Sequence, residues 1–198
     1  MSAKERITSL DDYKGRKTAR RAFREWNRLF GSLQRIDENT RWADLPDKAL
    51  LSLCEETPES RFAIYDLLTR ASGLGSGYEF ESLPPSKLLH LLDCYLVTMD
   101  RIRFECMRRL GWVEESVRGR ENSIIDQVLR DLKTSGDSLL KPPRMTPRHP
   151  GFQQVSGEND FDYGRFLRMY APDAVKAFRQ RLIAHVDWGH KAEVERLD

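Results

Sequence analysis

Apolar residues recur at three- and four-residue steps along most of this chain, the period of helices that bury one side. The longest such run is 84–111, where Leu88, Leu92, Tyr95, Met99, Ile102, Cys106 and Leu110 form one stripe. The pattern predicts a single helix over about 85–110. Pro84 and Pro85 suit its first turn and Gly111 its end, with Arg108 and Arg109 where the helix dipole favours cations. Its first half, 88–99, is apolar nearly all round, broken mainly by His90 and Asp93; its second half is rich in arginine. The first half is therefore expected at the centre of a bundle and the second nearer a surface.

Shorter amphipathic runs lie on either side. A helix is predicted over 16–35, with Ala19, Ala22, Phe23, Trp26, Leu29, Phe30 and Leu33 on one side and Lys17, Arg20, Arg21, Arg24, Arg28 and Arg35 on the other. Two short helices follow. One opens near Asp44-Leu-Pro-Asp and carries Leu50, Leu51 and Leu53. The other is capped by Thr57 with Pro58 in its first turn, and Gly73 ends it. Residues 73–85, rich in Gly, Ser and Pro, form the best internal boundary. It divides an N-terminal helical part, 1–75, from a C-terminal bundle, 84–198, within what reads as one all-α domain. Ser123 and Asp126 open a further helix, two more are expected from about 160 and 172, and 136–159 reads as a long proline-bearing loop. Val, Ile and Thr form no alternating runs, so strands are not signalled. The fold class is an all-α bundle of six or seven helices.

Charge adds a local asymmetry. The whole chain of 198 residues carries a net charge of only +2. From Lys14 to Arg35, however, there are eight basic residues and one acid, a net +7. From Asp37 to Glu59 there are seven acids and two bases, a net −5. A cationic row opposite an aromatic one suits an anionic partner, RNA or DNA first and an acidic protein next; the competing reading is a solvated face neutralised by the acidic segment beside it. Cys54, Cys94 and Cys106 are scattered and read as reduced thiols. Residues 1–12 lack the apolar core of a signal peptide, and 88–99 is too short to span a bilayer. A cytoplasmic protein without a membrane span is expected.

Few motifs carry chemistry. The glycines of 73–77 lack the preceding strand and following helix that a phosphate loop needs. His90 and Asp93 lie one turn apart without a second ligand pair, and His185, Asp187 and His190 do not share a helix face. Arg144-Met-Thr-Pro-Arg-His-Pro150 has the spacing of a polyproline ligand but reads more simply as a basic connector. No metal and no cofactor are expected.

The last helix reads Phe178-Arg-Gln-Arg-Leu-Ile-Ala-His-Val-Asp187. This resembles the signature of the HEPN superfamily, compact all-α domains with an Arg, four to six residues and a His on the final helix. The resemblance covers at most Ser86 to Asp198. It implies a metal-independent endoribonuclease, often a homodimer in which Arg and His of two subunits meet at one cleft. Arg179 and His185 are the matching positions, the first to hold the scissile phosphate and the second to transfer a proton. Three readings stand: a non-catalytic binding or regulatory protein with an anionic partner, a HEPN-like ribonuclease, and an oligomeric helical scaffold.

Overall fold

The computed structural model describes residues 40–74, 83–114, 123–133, 142–155 and 162–194, with backbone alone for 58, 59, 131, 132 and 185–194. Six α-helices are found among them: α1 (Asp47–Cys54), α2 (Pro58–Ala71), α3 (Pro85–Arg109), α4 (Ile124–Lys133), α5 (Tyr163–Met169) and α6 (Ala171–Val194). Single 3-10 turns occur at Trp42–Asp44 and Phe152–Gln154. The one β-type pairing in these residues is an isolated antiparallel bridge between Val113 and Met145. The fold is all-α. The predicted helix over 16–35 lies outside the described residues.

Local chemistry sets the ends of the helices. The Thr57 hydroxyl oxygen accepts from the Ser60 N–H at 3.3 Å to start α2. Ser123 accepts from the Asp126 N–H at 3.1 Å and donates to the Asp126 carboxylate at 2.9 Å at the start of α4. Asp162 caps α5 through the Arg165 N–H. Gly73 and Gly111 stand at φ +68° and +74°, the left-handed region that glycine enters without a Cβ penalty. Each lets the next residue reach back to the helix it leaves: Leu74 N–H to Thr69 O at 2.8 Å and Trp112 N–H to Met107 O at 2.9 Å.

Helix α3 is the spine, packed against α1, α2, α4 and α6. One apolar core joins Leu50 and Leu53 of α1, Ile64, Leu67 and Leu68 of α2, Ile102 and Met107 of α3, Ile124 and Val128 of α4, and Phe178 of α6. Part of the long loop is pinned to this bundle. Thr146 donates its N–H to Trp112 O at 2.9 Å, Glu114 donates to Arg144 O at 2.7 Å, and the Tyr163 hydroxyl donates to Pro143 O at 2.9 Å.

The two halves of α3 do not sit as the sequence led us to expect. Tyr95, Met99, Ile102 and Cys106 are buried, but Leu92 is exposed and Leu91, Cys94 and Thr98 take the inner face instead. Leu89 and Leu96 are also exposed. The second half is the more enclosed: Phe104, Glu105, Cys106 and Met107 are all buried. The physical reason is pairing. Arginines of that half meet carboxylates at helix contacts, so they can stand at the interior without an unpaired charge.

Candidate functional site

Carboxylates of the acidic segment pair with arginines of the bundle, two of them in the arginine-rich second half of α3. The Arg109 side chain, only 11% exposed, reaches Asp47 of α1 and Glu105 of its own helix. It also donates to the carbonyls of Trp42 at 2.9 Å and Ala43 at 3.3 Å. Glu105 accepts from Arg108 as well, at 2.6 and 2.7 Å. Arg103 donates to Glu56 at 2.7 Å, and the Tyr95 hydroxyl donates to the other Glu56 oxygen at 3.2 Å. Burial, followed by the Glu56 charge, pushes the Tyr95 phenol up to about 12. Arg41 pairs with Asp44 at 2.8 Å, and this hydrogen-bonded cation holds the Asp44 carboxyl below its ordinary range. Arg168 of α5 holds Asp100 at 2.6 Å.

Arg179 of α6 pairs with the same acidic segment. Its Nε and Nη2 both donate to one oxygen of Glu55, at 2.9 and 2.7 Å. The guanidinium is 55% exposed, so the pair is screened by water. His185 lies on the same helix, but its side chain is outside the described residues. Six residues of α-helix separate the two positions by about 9 Å of rise. Among the described residues, the group brought to Arg179 is Glu55. The cationic row of Lys17, Arg20, Arg21, Arg24, Arg28 and Arg35 lies outside the described residues.

A cavity of about 390 Å³ opens where the C-terminal ends of α2 and α4 meet the start of α3. Leu74, Leu91 and Leu129 line it with Lys87, His90 and Lys133. Both lysines are exposed, and His90 is half-buried. An apolar floor under cationic groups has the chemistry to take an apolar group with an anionic end. Asp93, one turn from His90, is exposed. Among the described residues no three His, Cys, Asp or Glu side chains are grouped to hold a metal, and no helix is long and apolar enough to cross a membrane. The three cysteines are free and buried. Contact with the Cys106 thiol and burial push the Cys54 thiol up, which keeps it from acting as a nucleophile.

Sequence reading did not place His149 in the interior. His149, in the connector, is 2% exposed. Its ring stands edge-on to Trp112 at 5.6 Å and to Tyr170 at 4.7 Å between centroids. Nδ1 accepts the Gly151 N–H at 3.0 Å, so the ring proton sits on Nε2, which has no hydrogen-bond partner. Gly151 is required here because a Cβ would stand 2.6 Å from Phe166 and 2.7 Å from the Tyr170 hydroxyl. The only sequence signal was His-Pro-Gly-Phe near aromatic residues, which has no period to read. Arg144, whose spacing to His149 equals that of a ribonuclease pair, is exposed while His149 is interior.

Burial holds the His149 imidazole below its ordinary range. The unfolded chain takes a proton there near pH 6.5, whereas the folded chain does not. The contribution is therefore complete above that pH and is lost as pH falls below it. Denaturant unfolding at pH 7.5 and 5.5 is expected to show a smaller loss in His149→Phe than in the wild type. Equal losses in both would remove His149 from the acid response.

Comparison with protein-family models, with curated proteins and with solved structures finds no match to the chain.

Proposed function

We propose a non-catalytic helical binding protein whose anionic partner, nucleic acid before acidic protein, is met by Lys17, Arg20, Arg21, Arg24, Arg28 and Arg35. One observation carries the reading. The acidic segment 37–59 was the nearest source of neutralising charge for that row. Its four carboxylates with described side chains, Asp44, Asp47, Glu55 and Glu56, are each already held by an arginine of the bundle: Arg41, Arg109, Arg179 and Arg103. Neutralising the basic row with these four carboxylates would mean taking them from partners at hydrogen-bonding distance. The row is instead left to a polyanion, whose bound counterions are released into solution on contact. Anisotropy titration with a labelled RNA strand at low salt is expected to give saturable binding that heparin displaces. Binding to polyglutamate and not to RNA or DNA would overturn the nucleic-acid assignment.

The HEPN-like ribonuclease is the second reading, favoured by Arg179. An exposed guanidinium on α6, held by one carboxylate oxygen, can exchange Glu55 for a phosphate at little cost, since a screened pair contributes about 0–1 kcal/mol. This reading expects RNA cleavage that persists in EDTA and disappears in His185→Ala with the fold intact. Intact RNA after prolonged incubation with the wild type would end it.

A further inference from the structure

We infer that His149 is an acid-operated latch: when its imidazole takes a second proton, the rear of the connector, 149–154, lifts away from α5 while the front, 144–146, stays paired beyond the end of α3. The two parts are held in different ways. Backbone groups hold the front. Thr146 donates its N–H to Trp112 O at 2.9 Å, Glu114 donates to Arg144 O at 2.7 Å, and Val113 and Met145 form the antiparallel bridge. None of these groups titrates where a histidine does. Side chains hold the rear. The His149 ring is seated against Trp112, Phe166 and Tyr170. Gly151 lies against Phe166 and Tyr170, and the Tyr170 hydroxyl donates to Gln154 Oε1 at 3.2 Å.

Only the rear contains a group that protonation turns against it. Nδ1 of His149 accepts the Gly151 N–H at 3.0 Å, which requires a lone pair on that nitrogen. An imidazolium carries N–H on both nitrogens, so Nδ1–H would face the Gly151 N–H, donor against donor. Nε2 gives no relief, because it is buried and has no hydrogen-bond partner. The added charge would be enclosed in a side chain 2% exposed, without a counter-ion.

The titratable groups on the surrounding elements do not supply one. Tyr170 meets the imidazole with its ring and donates its hydroxyl to Gln154. On α5, Arg165 is exposed, Arg168 is paired with Asp100, and the Tyr163 hydroxyl donates to Pro143 O. At the end of α3, Glu105 is held by Arg108 and Arg109. Glu114, beyond Trp112, is exposed, as are Arg144 and Arg148 of the connector.

Lifted into water, the ring takes its proton near pH 6.5, whereas the seated ring does not. The seated form is therefore favoured above that pH and is progressively lost below it. Lifting uncovers the inner sides of Trp112, Phe166 and Tyr170 while the core at Leu50, Ile102 and Phe178 stays packed. It is a separate event from the acid loss of global stability.

Amide exchange of the full chain, followed by NMR at pH 7.5 and 5.5 and corrected for intrinsic rates, tests the latch. The N–H groups of Gly151, Phe152 and Gln154 are each hydrogen-bonded within the segment. They are expected to exchange through an opening insensitive to low urea, with protection falling by up to about tenfold between the two pH values. Ile102 and Leu50 are expected to exchange only through urea-sensitive unfolding. In His149→Gln, whose side-chain oxygen still accepts a hydrogen bond but takes no proton, the pH step is expected to vanish. An equal step in that variant, no step in the wild type, or exchange of the segment only together with the core would overturn the inference. The wild type alone gives a second reading: the His149 imidazole is expected to take its proton in step with the loss of Gly151 protection. An imidazole that titrates while Gly151 keeps its protection would equally overturn it.

Discussion

Arg109→Met is expected to lower the unfolding free energy by about 3 kcal/mol, near the lower end for breaking a buried ion pair. The guanidinium joins three parts of the chain: the 3-10 turn at Trp42–Asp44, the first turn of α1 through Asp47, and Glu105 of α3. Its loss leaves Glu105, 8% exposed, with Arg108 alone and removes the side-chain donor from the Trp42 carbonyl. Asp47 is 44% exposed, so water recovers that part of the interaction and holds the estimate down. For a chain of this size the change corresponds to roughly 6–12 °C in Tm. Arg179→Ala is the matched control. Its pair with Glu55 is open to solvent, and its loss is expected to cost less than about 1 kcal/mol. Urea unfolding of both variants checks the contrast: the midpoint should move for Arg109 with an unchanged slope. Equal shifts would mean that the enclosed position of Arg109 contributes nothing.

Reversing Arg20, Arg21, Arg24 and Arg28 to Glu is expected to weaken nucleic-acid binding about a thousandfold at low salt, because phosphate contacts supply most of such affinity and four become repulsions. Stability should change little, since the apolar row at Phe23, Trp26 and Phe30 is untouched. Acids of the bundle are not freed either: Asp44, Asp47, Glu55 and Glu56 keep Arg41, Arg109, Arg179 and Arg103. If those acids were the true partners of the basic row, the reversal would instead destabilise the fold by repulsion and leave nucleic-acid binding as it was. Equilibrium binding and urea unfolding of the same variant tell the two apart.

Much of the architecture was legible where the signal is local. Thr57, Ser123, Gly73 and Gly111 act within one turn of themselves, and each sits at the helix end the sequence pointed to. The period of α3 likewise fixed its type and its ends to within about a residue. What was not legible depends on distant partners. Charge density in the second half of α3 pointed to a surface, yet Arg103 and Arg109 are matched by Glu56 and Asp47, and that half is enclosed. Conversely, a nearly all-apolar first half reads as central, but its leucines Leu89, Leu92 and Leu96 are exposed, while the later turns meet Arg168 of α5 and Ala174 of α6. The burial of His149 was not legible because its surroundings come from Trp112, Phe166 and Tyr170, which no spacing rule connects. For Arg179, a motif on one helix carries no trace of Glu55, which stands 124 positions away.

The most direct test of the binding assignment is a salt titration of anisotropy with one labelled single strand, run on the wild type and on the four-arginine reversal. With six basic residues on phosphates, log K for the wild type is predicted to fall against log salt with a slope of about −4, and the reversal to bind about a thousandfold more weakly at low salt. Absence of wild-type binding at low salt, a flat salt dependence, or equal affinity in the reversal would contradict it.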